Sequence, residues 1–167
     1  MEVTVASHGV VYVHSCPPAV CPHAEWAISA VLGTPVSLPW TAQEASPGTL
    51  RAECAWSAAS GTAGQLASAL RAWPMLRFEV TEDASPGCDG ERIMHVPGRG
   101  AHRAITGANG DILIGEQQLR AIRAECTSAE DFTHAIDTAL GLAWDAELEP
   151  YRHAGDGAEV AWLHQVG

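Results

Sequence analysis

Between Gly9 and Thr81 the hydrophobic periodicity of this chain changes step four times, and that alternation limits the fold more than any other feature. GVVYVHS, residues 9–15, is a β-rich run. Pro22 then opens HAEWAISAVLG, a helix with proline at its first position that should stop at Gly33. Val36–Thr41 and Leu50–Ser57 read as two strands joined across the turn-rich EASPGT. Within GTAGQLASALRAW, Leu66, Ala69, Leu70 and Trp73 follow the i, i+3, i+4, i+7 spacing of an amphipathic helix, and Leu76–Thr81 alternates as a strand. The order is β-α-β-β-α-β, the split βαβ arrangement of ferredoxin-like domains. Two antiparallel-packed helices should cover one sheet face, with Trp26 and Trp73 on the covered side.

After Thr81 the pattern becomes a meander. EDASPGCDGE is a loop, Arg92–Val96 and Ala101–Thr106 are strands around PGRG, and NGD at 109–111 signals a tight hairpin before ILI. Two helices follow, Glu116–Glu125 and a longer one from Ser128 to Leu148, the second capped by Thr127 with Glu130 three residues on. AEVAWLHQV reads as a final strand on which His164 could face His14. The expected architecture is one α+β domain over residues 1–167: a ferredoxin-like half, 1–83, and an extension, 84–167, of β-meander, two C-terminal helices and a last strand.

Composition bounds the partners. With 167 residues and 47% hydrophobic content the chain can bury a substantial core. Nine arginines and no lysine oppose twenty Asp and Glu, a formal charge of −11 that repels phosphate backbones and anionic lipid. LRAECAWS, the third strand, also lacks the aromatic and basic pattern of an RNA-recognition strand, so no nucleic acid partner is expected. The missing lysine removes Schiff-base chemistry and a Walker-type phosphate site. MEVTVASHG has no basic or apolar leader, and no stretch approaches the ~20 apolar residues of a membrane span, so a cytoplasmic protein without membrane contact is expected. Five cysteines, an odd number, are expected to be reduced thiols.

The chemistry concentrates in VHSCPPAVCPH, residues 13–23. His14 and Cys16, two apart on a strand, should share a face, and Cys21 and His23 begin the first helix. Zinc accepts such N/S sets, but the spacing does not bring two ligand pairs from separate segments, and a metal-free protein without cofactor is expected. Cys21 at the N-cap would feel free N–H groups and the helix dipole, which favour the thiolate; it is expected to be the most acidic of the five thiols, with His14 or His23 able to assist.

Ser60, Gly61, Thr62 and Gly64 form a small-residue loop entering a helix, a candidate anion site. Thr62 and Gln65 would also make a capping box without any ligand. Glu82, Asp83, Asp89 and Glu91 read as a solvated hairpin tip, since no calcium-loop pattern is present.

GVVYVHS, CPHAEWA, ASALRAW, LRFEVTED, PGCDGER, GDILI, AWDAELEP and AWLHQV, in this order, resemble an actinobacterial domain-of-unknown-function family, number 3145. The resemblance implies no activity; genes of that family in some actinobacteria lie near fatty-acid synthesis genes, which implies a link to acyl metabolism. Two functions follow as expectations. One is a non-catalytic module that binds a protein partner or a small metabolite. The other is a small enzyme using Cys21 with a nearby histidine on an acyl or thiol substrate.

Overall fold

The computed structural model describes residues 5–153. β1 (Ala6–Cys16) leads into α1 (Cys21–Leu32), followed by β2 (Thr41–Ala42), β3 (Leu50–Ala59), α2 (Thr62–Leu70) and β4 (Arg77–Glu82). The meander is β5 (Gly90–Val96), β6 (Gly100–Thr106) and β7 (Ile112–Leu113), and α3 (Glu116–Glu125), α4 (Ala129–Ala139) and α5 (Leu142–Arg152) come last. All seven strands form one antiparallel sheet, in an α+β arrangement, in the order β2-β3-β1-β4-β5-β6-β7. The two long crossovers carry α1 and α2, so β1 receives β3 on one side and β4 on the other, while the meander adds strands beside β4 by short turns.

α1 and α2 lie on one face. Val11 and Val13 of β1, Phe78 and Val80 of β4 and Ile93 of β5 point into this layer and meet Ala24 and Ile28 of α1 and Leu66 and Leu70 of α2. Each large apolar side chain removed from water here contributes about 1.5–3 kcal/mol. Close approach at β1 requires Gly9, because a Cβ there would collide with the Thr81 carbonyl and the Trp56 ring. On the opposite face α5 covers part of the sheet: Leu148 packs on Met94 and Val96 of β5, with Trp144 beside them.

Several expectations are corrected. The strand read over Val36–Thr41 pairs only at Thr41–Ala42. Pro39 removes a ladder donor from the segment, and three other donors are held instead by α1: Val36 N–H donates to Ser29 Oγ at 2.8 Å, and Leu38 N–H and Trp40 Nε1–H donate to Glu25 Oε1 at 2.8 and 2.9 Å. Trp26 is 72% exposed rather than covered, whereas Trp73 packs against the core as expected.

The single helix expected over 128–148 is two helices. Gly141 adopts φ +70° between them, and a Cβ there would meet the His102 ring at 2.6 Å and Met94 Cε at 2.8 Å, so both backbone and packing demand glycine. The cap of α4 is Ser128, whose Oγ accepts from Asp131 N–H at 3.0 Å, one residue later than read. The strand expected from AEVAWLHQV, and the approach of His164 to His14, lie outside the described residues. Among the described residues no helix is long and apolar enough to cross a membrane.

Candidate functional site

The stretch from Val13 to His23 begins with a bulge. Val13 pairs with Phe78 of β4 and the next pair is Ser15 with Arg77; against β3, Val13 pairs with Ala52 and the next pair is Cys16 with Leu50. One extra residue in β1 reverses the side-chain alternation. His14 and Cys16 therefore do not share a face, contrary to the two-residue spacing. Cys16 joins Val11 and Val13 under the helices. His14 remains on the other face, buried, where its Nε2–H donates to Glu79 Oε2 at 2.5 Å.

Two turns then carry the chain into α1: Val20 N–H donates to Pro17 O at 2.9 Å and Cys21 N–H to Pro18 O at 3.3 Å. Val20 is the N-cap, Cys21 the first helical residue and Pro22 the second. The Cys21 thiol is buried and donates to Pro17 O at 3.5 Å; the Cys16 thiol donates to the same carbonyl at 3.4 Å, with the Cys21 sulfur as its alternative acceptor.

Acidification of Cys21 by the helix start is not what results. Burial pushes its thiol up, the opposite direction, despite a lowering hydrogen bond from Cys16. Cys16 is raised further, by burial and by its hydrogen bond to Cys21. Neither histidine of the stretch is bonded to Cys21: His14 is engaged by Glu79, and exposed His23 stacks on Trp73 with ring centroids 5.8 Å apart. Among the described residues no group of three or more His, Cys, Asp or Glu side chains could hold a metal ion.

The loop of Ser60, Gly61, Thr62 and Gly64 holds an anion, and the anion belongs to the chain. Glu82 of β4 points its buried carboxylate at the start of α2, accepting from Gly61 N–H at 2.8 Å and from Ala63 N–H at 2.9 Å. The free donors and positive end of a helix N-terminus are matched by this carboxylate. Gly61, at φ +90°, is the N-cap, and no side chain of the expected Thr62–Gln65 box caps the helix; Thr62 Oγ1 donates back to Ala59 O at 2.7 Å. Glu82 is thus not part of a solvated hairpin tip.

The polar cluster that residue spacing missed surrounds Glu79. This carboxylate, with no exposed surface, lies between β1, β5 and α5. Besides His14 it accepts from Arg152 Nη2 and Nε at 2.6 and 3.0 Å, and from Arg92 Nη2 and Nε at 2.9 and 3.2 Å. Asp145 Oδ1 bridges the two guanidinium groups at 2.7 Å from Arg152 and 3.0 Å from Arg92. Burial by itself would raise the Glu79 carboxyl, but His14 and Arg152 override it and hold the group far below the usual carboxylate range. Arg152 is raised in turn, its burial outweighed by Glu79 and Asp145. Gln43, also buried, joins the bulge to α5 by donating to His14 O at 2.7 Å and Tyr151 O at 3.1 Å. One signal for Glu79 was available: in RFEVTE it alternates against Phe78 and Val80, so any element covering the second face would bury a charge. Nothing in the spacing announced Arg152, which is 73 residues away.

Together these features define an antiparallel α+β protein whose second sheet face closes over an ionic centre. The chain belongs to the family described as protein of unknown function, DUF3145, whose pattern matches residues 10–165. No curated protein and no solved structure matches the chain.

Proposed function

We propose that the protein is a non-catalytic cytoplasmic module, a ferredoxin-like half with an extension, that binds a protein partner through α3 and α4; its family resemblance suggests a setting in acyl metabolism. One observation carries this reading: α3 and α4 contain no buried residue. Short helices are marginal in water and ordinarily gain their stability by burying an apolar face. Here Leu119 of α3 and Phe132 of α4 are 40% and 41% exposed, and Ile105, Leu113 and Leu142 on the neighbouring elements are also exposed. Ile105, Leu113, Gln118 and Ala139 line a groove of about 570 Å³ where β6 and β7 meet these helices.

Charge indicates the partner's chemistry. α3 and α4 present Glu116, Glu125, Glu130, Asp131 and Asp137 against Arg120 and Arg123. An amphipathic segment with an apolar face and basic flanks complements that surface. By contrast, His14, Cys16 and Cys21 are buried and bonded within the chain.

A photo-cross-linking amino acid placed at Leu119 or at Phe132 in the native host should capture the same protein, identified by mass spectrometry, and the same label at Trp26 should not. The purified pair should then bind at least ~10-fold more weakly when Phe132→Asp is introduced. Cross-links only to a second copy of this chain, or identical products from position 26, would overturn the reading.

A further inference from the structure

We propose that Cys16 and Cys21 form a thiol–disulfide couple, a modification site for low-molecular-weight disulfides. The successive turns at Pro17 and Pro18 fold the intervening four residues so that the end of β1 and the first residue of α1 bring their sulfurs together. Both thiols converge on the Pro17 carbonyl, at 3.4 and 3.5 Å, which places the two sulfurs around one backbone oxygen. The pair lies one layer beneath the surface: Pro18 and Ala19 above it are exposed, Cys16 is fully buried and Cys21 retains 5% exposure. Cys21 is therefore the sulfur an external reagent reaches first, and the Cys16 S–H, on turning from Pro17 O to it, favours its thiolate over that of Cys16.

The chemistry is a two-step exchange. Cys21 loses its proton and attacks one sulfur of a disulfide RSSR; the S–S bond breaks, a mixed disulfide forms on Cys21, and RS⁻ leaves to take up that proton as RSH. Cys16 then loses its proton and attacks the Cys21 sulfur, forming the Cys16–Cys21 bond and releasing the second RSH. Two electrons and two protons pass from the protein to RSSR. Because burial raises both thiols, the first step should accelerate with pH across the neutral range.

The full chain, folded and incubated with oxidised glutathione, decides the matter. Cleavage at arginine yields peptide 1–51, which contains Cys16 and Cys21 but none of Cys54, Cys88 and Cys126. After quenching and alkylation this peptide should be about 2 Da lighter than its reduced form and carry no alkyl group. In Cys16→Ser, glutathione should instead accumulate on Cys21. The proposal is overturned if peptide 1–51 of the folded wild type stays doubly alkylated under conditions that oxidise it in urea, or if wild-type Cys21 keeps its glutathione. The wild-type measurement suffices should the variant not fold.

Discussion

Glu79 and Arg152 form a two-pronged ion pair in which both side chains are buried, at 2.6 Å from Nη2 to Oε1 and 3.0 Å from Nε to Oε2. The pair ties the last turn of α5 to β4, the middle strand of the sheet. Its second support is Asp145, two turns earlier on the same face of α5, which receives Arg152 and Arg92 together. α5 therefore docks by a short apolar contact through Leu148 and by an ion pair, Arg152 with Glu79, that has no water to fall back on.

Removing one member of this pair should be severe. Arg152→Met leaves Glu79 buried with a reduced set of donors, and Glu79→Gln leaves Arg152 and Arg92 facing each other; each should cost about 3–5 kcal/mol. The double variant Glu79→Gln/Arg152→Met should cost less than the two losses added, because each single change strands a charge that the other removes. Urea unfolding of the four proteins measures the coupling, and strict additivity would contradict a shared ion pair.

Acid should unfold the protein partly through Glu79. Its folded carboxyl is held below the unfolded value of ~4.3, so the stabilisation it supplies is complete above that value and is lost as pH falls through the folded one. Unfolding free energy should decline progressively below about pH 5, and Glu79→Gln should show a shallower decline. The groups facing this carboxylate are His14, Arg92 and Arg152, with Asp145 behind the arginines. Urea midpoints from pH 7 to pH 3 test the sign; equal slopes for the two proteins would remove Glu79 from the account.

Deleting the carboxylate at the start of α2 should expose the anion site that it fills. Glu82→Ala loses two charge-assisted hydrogen bonds, to Gly61 and Ala63, at a cost of about 1.5–3 kcal/mol. The vacated donors should then accept inorganic phosphate or sulfate, so millimolar phosphate should raise the melting temperature of Glu82→Ala more than that of the wild type at equal ionic strength. An identical response from the two proteins would show that the loop has no anion affinity of its own.

The local part of this fold was legible because its signals are local. Pro22 and Gly33 bracket α1, the steps of Leu66 and Leu70 mark α2, NGD marks the last hairpin, and the order of the first six elements follows from periodicities within a few residues. Errors arose where one extra residue or one glycine changed the geometry. The bulge after Val13 sent His14 and Cys16 to opposite faces, and Gly141 divided a continuous apolar stripe into two helices. In both cases the side-chain pattern remained consistent with the simpler element; hydrogen-bond register and the contact of Gly141 with His102 and Met94 excluded it.

The site was legible only in part, for a related reason. Residue types and spacing along the chain determined that Cys21 lies at the start of the first helix and that the Ser60–Gly64 loop enters a helix with free N–H groups. Tertiary structure decided what those groups do. Burial reversed the direction expected for the Cys21 thiol, and Glu82, arriving from β4, occupied the anion loop. Likewise Glu79 acquired its partners from β1, β5 and α5. Sequence periodicity reports which face of an element avoids water, whereas the ionisation and partners of a buried polar group depend on desolvation and on charges brought from distant segments; only the folded arrangement supplies those.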